Sequence, residues 1–66
     1  MQAIAYYKFS KTGYLYIYDI QNGEVTYSWS TQPEKIKTAN IKTTHGGRFY
    51  FDAGKHQILL ERCVNY

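Results

Sequence analysis

The sequence predicts a mainly β fold at the border with α+β: a five-stranded antiparallel meander sheet or small barrel, with one short helix between the third and fourth strands. Three observations carry this. Aromatic and β-branched runs recur between short polar breaks, an Asn-Gly pair joins two of those runs, and a single helix-capping signature interrupts the series.

Residues Ala3 to Phe9 form the first run, and Tyr14 to Ile20 resumes after Ser10-Lys11-Thr12-Gly13, which predicts a hairpin with a four-residue loop. Gln21-Asn22-Gly23 leads into a third strand, Glu24 to Ser30, where Val25, Tyr27 and Trp29 alternate with Thr26, Ser28 and Ser30. Asn-Gly suits a type I′ turn because both residues tolerate positive φ. Thr31-Gln32-Pro33-Glu34 then matches a capping box with proline in the first turn, and predicts a short helix over residues 32–40. Its apolar content is only Ile36 and Ala39. His45-Gly46-Gly47 is a flexible break. Arg48 to Phe51 reads as the fourth strand, Asp52-Ala53-Gly54 as a turn, and Lys55 to Val64 as the fifth strand. In that last strand Ile58, Leu59 and Leu60 in succession predict cover on both faces.

Two registers compete for the first three strands. A two-residue Asn22-Gly23 turn pairs Ile20 with Val25, Tyr18 with Tyr27 and Tyr16 with Trp29. The Ser10–Gly13 loop pairs Phe9 with Tyr14, Tyr7 with Tyr16 and Ala5 with Tyr18. Both loops then bury one face made of Ala5, Tyr7, Phe9, Tyr14, Tyr16, Tyr18, Ile20, Val25, Tyr27 and Trp29. The mixed reverse face carries Tyr6, Leu15 and Ile17 as a candidate protein interface. A three-residue loop with a bulge would slip the register by one and turn Tyr14, Tyr16 and Tyr18 outward instead. We expect the first register, because the two loops agree under it.

Sixty-six residues make one domain, residues 1–66, with a small core that the eight Tyr, three Phe and one Trp must help to build. Cys63 is the sole cysteine, so no intramolecular disulfide forms, and a reducing, cytoplasmic setting is expected. No apolar run approaches the length of a membrane span and no signal-peptide pattern opens the chain, so no membrane partner is expected and the chain reads as a complete product.

Catalysis is not expected. Asp19, Glu24, Glu34, Asp52 and Glu61 are scattered one per element, without a close pair for acid–base work. Cys63, His45 and His56 lack metal-ligand spacing, and His56 and Cys63, seven apart on one strand, would stand about 23 Å from each other. No catalytic residue, cofactor or metal ion is assigned. Thr43 to Arg48 lacks the Gly–Lys–Ser/Thr spacing of a nucleotide-binding loop and reads as a connector.

Charge distribution is the clearest functional signal. The net charge is +3, and the excess lies between Glu34 and Arg48, where Lys35, Lys37, Lys42 and Arg48 face Glu34 alone. Elsewhere Lys8, Lys11, Lys55 and Arg62 balance Asp19, Glu24, Asp52 and Glu61. Local cations concentrate an anionic partner, and rings offer stacking surfaces to bases. The segment Lys11 to Ile17 resembles the basic-Gly-aromatic-x-aromatic-aliphatic strand of cold-shock-type barrels over seven residues. Leu15 stands where that pattern has a small residue, the third strand holds nothing comparable, and the resemblance does not place the chain in that family. The expectation is a non-enzymatic binding module that contacts nucleic acid, or a nucleic-acid-processing protein, through Lys35, Lys37, Lys42 and Arg48. The alternative is a protein–protein inhibitor or adaptor, of the kind phages and mobile elements encode, working through a sheet face or strand edge. That face is also available to join two copies as a homodimer.

Overall fold

A computed structural model describes residues 2–66. Eight strands run in the order β1 (Ala5–Lys8), β2 (Tyr14–Gln21), β3 (Glu24–Trp29), β4 (Lys37–Asn40), β5 (Lys42–Thr43), β6 (Phe49–Ala53), β7 (His56–Leu59) and β8 (Val64–Asn65). They form two antiparallel sheets, a five-stranded one ordered β4-β3-β2-β1-β8 and a three-stranded one ordered β5-β6-β7. The fold is thus mainly β, as expected, but neither a five-stranded meander nor a closed barrel.

The first hairpin turns one residue earlier than its sequence implies. Lys8, not Phe9, faces Tyr14, and Ala5 faces Ile17. Phe9 leaves the strand because its N–H and that of Ser10 both reach the Gly13 carbonyl, at 3.1 and 3.4 Å, while the Ser10 hydroxyl accepts the Gly13 N–H at 2.9 Å. Its ring folds over Gly13, where a Cβ would stand 2.3 Å from Phe9 Cζ, and meets Trp29 edge-on at 4.9 Å.

The second hairpin begins as expected. Asn22 and Gly23 have φ of 55° and 76°, and Ile20 pairs with Val25. Two residues later the register shifts between Ile17 and Asp19, leaving Tyr18 as a bulge, so that Ile17 faces Tyr27, Tyr16 faces Ser28 and Leu15 faces Trp29.

These two departures rotate β2 alone. Ala5 still lines up with Tyr27 across β2, so the expected faces of β1 and β3 hold, with Ala5, Val25 and Tyr27 buried. On β2 the faces are exchanged: Leu15 and Ile17 are 0% and 1% exposed, while Tyr14, Tyr16 and Tyr18 lie on the other side. The expected Tyr16–Trp29 pair does not form. The physical cause is the phenol hydroxyl, which needs a partner when buried, whereas an aliphatic side chain does not.

The expected helix over residues 32–40 is absent. Two successive turns, closed by Gln32 N–H to the Trp29 carbonyl and Lys35 N–H to the Gln32 carbonyl, each at 3.0 Å, lead into β4, which pairs with β3. A nine-residue helix with two apolar residues is marginal in water, while β3 offers a ready edge and Ala39 can pack on the core. Among the described residues the only helix is a 3₁₀ turn, Leu60–Arg62.

The chain crosses between sheets twice. At Ile41 it passes from β4 to β5, its N–H bonded to the Gly23 carbonyl at 2.8 Å. Through the 3₁₀ turn it returns, and β8 adds to the edge of β1. The expected fifth strand is therefore split into β7 and β8. Between the sheets lie Ala5, Leu15, Ile17, Val25 and Tyr27 from one side and Phe51, Ala53 and Ile58 from the other, with Tyr27 against Phe51 at 5.4 Å.

Candidate functional site

Pairing in the five-stranded sheet fixes which side chains share its outer face. Tyr6 lies beside Tyr16 and Val64, Lys8 beside Tyr14, and Ser28 beside Tyr16. The Tyr66 N–H bonds the Ile4 carbonyl at 3.1 Å, which carries the chain end along β1. The outer face over β8, β1 and β2 is thereby tiled with Ile4, Tyr6, Tyr14, Tyr16, Tyr18, Val64 and Tyr66.

The rings organise one another. Tyr14 and Tyr16 stand nearly parallel, 13° apart with centroids at 6.3 Å; Tyr6 meets Tyr14 edge-on at 5.9 Å and Tyr66 at a 51° tilt with centroids at 5.1 Å. Tyr18 and Ser28 share a hydroxyl hydrogen bond of 2.7 Å, which anchors the bulged ring to β3 and covers Ser28. Two shallow depressions meet at Tyr16 and Tyr66, one bounded by Gln2, Ala3 and Tyr18 and the other by Tyr6, Lys8 and Tyr14. The surrounding rings raise the Tyr66 phenol above its ordinary pKa, first by stripping water and then through repulsion with the Tyr16, Tyr6, Tyr14 and Tyr18 phenolates.

This surface is open, apolar at its base and polar at its tips. Ile4 and Val64 are 50% and 51% exposed and Tyr66 is 72% exposed. Contiguous apolar patches of that kind mark interaction sites on soluble proteins. Its ends differ in charge. Lys8 pairs with Tyr14 at one end, with Lys11 in the adjoining loop; Asp19 and Glu24 lie at the other, Asp19 beside Thr26 and Glu24 beside Gln21.

The sequence-derived cationic residues do not converge here. Lys35 sits in the turn before β4, and Lys37 opens β4 opposite Tyr27. Lys42, on β5, forms an ion pair with Asp52 at 2.8 Å, and that bond raises its pKa. Arg48, at the end of the β5–β6 loop, lies 3.4 Å from Glu61. Of the expected interface residues, Tyr6 is on the outer face, whereas Leu15 and Ile17 belong to the core.

A comparison with protein-family models, curated proteins and solved structures finds no match. Among the described residues no three His, Cys, Asp or Glu gather as metal ligands, and no helix is long and apolar enough to cross a membrane. Cys63 is half-buried, its S–H directed to the Leu59 carbonyl at 3.7 Å, and burial pushes the thiol pKa up.

Of the rings that build the face, the sequence singled out Tyr6 alone as a site; Tyr14, Tyr16, Tyr18 and Tyr66 were not among its candidates. The first three carried a signal in the slipped register. Tyr66 carried none, because β8 reaches β1 through a contact about sixty residues long in sequence.

Proposed function

We propose that the protein is a non-catalytic docking module that holds a protein partner on the outer tyrosine face of its five-stranded sheet. The observation that carries this reading is the set of tyrosines on one open face, flanked by half-exposed Ile4 and Val64. Tyrosine supplies large contact area at low entropic cost together with a hydroxyl that pairs with polar groups, and is enriched where proteins meet. A protein suits this face better than nucleic acid, because among the described residues Lys8 is the one cation bordering the rings, and Asp19 and Glu24 would repel phosphates at the opposite end. The cytoplasmic setting expected from the lone cysteine belongs with this reading.

A second reading keeps nucleic acid as partner, bound through Lys35, Lys37, Lys42 and Arg48. It is favoured by Lys35 and Lys37, exposed and outside the ion pairs of the described residues, and by the parallel Tyr14 and Tyr16 rings.

A photo-crosslinking amino acid at position 16, compared with one at the exposed Gln57 of the other sheet, separates these in cells producing the protein. Docking predicts a discrete polypeptide adduct from position 16 and not from 57. A nuclease-sensitive adduct supports the second reading. An adduct from 57 alone contradicts docking at the tyrosine face.

A further inference from the structure

We propose that the partner on the tyrosine face is a second copy of this chain, packed sheet to sheet about a dyad that runs across the strands. This rests on the docking reading above and adds the identity and geometry of the occupant.

Opposite charges stand at the two ends of the face. Lys8 lies beside Tyr14 at one end of the face, and Asp19 lies beside Thr26 at the other, with Tyr6, Tyr16 and Val64 forming the middle row. Two such faces meet about a dyad in one of two ways. A dyad along the strands sets Lys8 against Lys8 and Asp19 against Asp19, which like-charge repulsion opposes. A dyad across the strands superposes the two β2 strands running in opposite directions and brings Lys8 of each copy to the Asp19 end of the other. Tyr16 of each copy then meets near the axis. The face is its own electrostatic complement in that arrangement, which is what an isologous interface requires.

The area agrees with a reversible dimer. The whole outer face of the sheet, five strands at about 4.8 Å spacing averaging about five residues at about 3.3 Å each, measures roughly 24 by 16 Å, so two in full contact remove on the order of 800 Å² from water. That is the lower end of specific interfaces and fits an equilibrium between monomer and dimer. The phenol hydroxyls at the tips can pair across the dyad, so association leaves no requirement for a third molecule.

Sedimentation equilibrium of the purified chain from about 10 μM to about 1 mM tests this, with circular dichroism verifying each variant's fold. The wild type should associate to a dimer and no further, and Tyr16→Ser should be monomeric with an unchanged spectrum. Lys8→Asp and Asp19→Lys should each weaken association about tenfold, equivalent to about 1.4 kcal/mol. The double variant should recover most of the loss, since it restores the complementary pair in reverse. If a charge reversal fails to fold, Lys8→Ala and Asp19→Ala replace it, each expected to weaken association. A wild-type monomer at about 1 mM, or a double variant no better than the singles, overturns the proposal. A monomer that still crosslinks to another polypeptide from position 16 removes only the second copy, whereas no crosslink from position 16 removes the docking reading too.

Discussion

A tyrosine inside a small core brings a hydroxyl that must be hydrogen-bonded, and leaving it unpaired costs about 1–3 kcal/mol. On β2 the choice lay between burying three phenols and burying Leu15 and Ile17, and the aliphatic pair is inside. Tyr18 secures its own hydroxyl on Ser28 at the sheet surface. Gly13 makes a different contribution, since Phe9 closes over it. Gly13→Ala should displace that ring and destabilise the protein by about 1–3 kcal/mol, the usual range for overpacking. Denaturant unfolding followed by Trp29 fluorescence reads both effects, because Phe9 lies against Trp29. Cys63 should react slowly with a thiol reagent at neutral pH, as burial keeps the thiolate scarce, and should speed up on denaturation. Rapid native labelling would contradict its placement.

At the scale of elements, the sequence was legible where local chemistry decides. The Asn22-Gly23 turn, the alternation along β3 and the strand character of β1, β2 and β6 follow from turn residues and period-two patterning. Two elements were not legible. The face of β2 depends on a bulge at Tyr18, and the agreement of the two loops was blind to it. Because β2 enters both pairings, a slip common to both cancels between β1 and β3. Residues 32–40 carry a good helix start, but the open edge of β3 captures Lys37–Asn40, a tertiary effect that local signals do not report. Far-ultraviolet circular dichroism should therefore lack the 222 nm helical minimum. Hydrogen exchange should show protected amides within Lys37–Asn40, with faster exchange in the turns at residues 31–35. The cationic candidates show the same limit: Lys42 and Arg48 meet Asp52 and Glu61 only after β5, β6 and the 3₁₀ turn assemble.

For the whole molecule, two thin sheets share one core, so stability should respond to any change that charges or empties it. Tyr27 is raised by burial, Lys42 by its bond and attraction to Asp52, and Tyr66 by loss of water and its neighbouring phenols. A raised value in the folded state gives stability that is present below the unfolded value and lost as pH climbs through the folded one. The melting temperature should therefore fall as pH rises above about 10, where all three groups act in the same direction. The central claim is that β2 presents its tyrosines outward and its aliphatics inward. Thermal denaturation of Ile17→Thr beside Tyr16→Ser, at a concentration where the chain is monomeric, tests it most directly. Ile17→Thr puts a hydroxyl into the core and should cost about 2–3 kcal/mol, or roughly 8–24 °C for a domain of this size, whereas Tyr16→Ser should cost less than about 1 kcal/mol and shift melting by under about 8 °C. A Tyr16→Ser variant that melts as low as Ile17→Thr, or lower, would contradict the account.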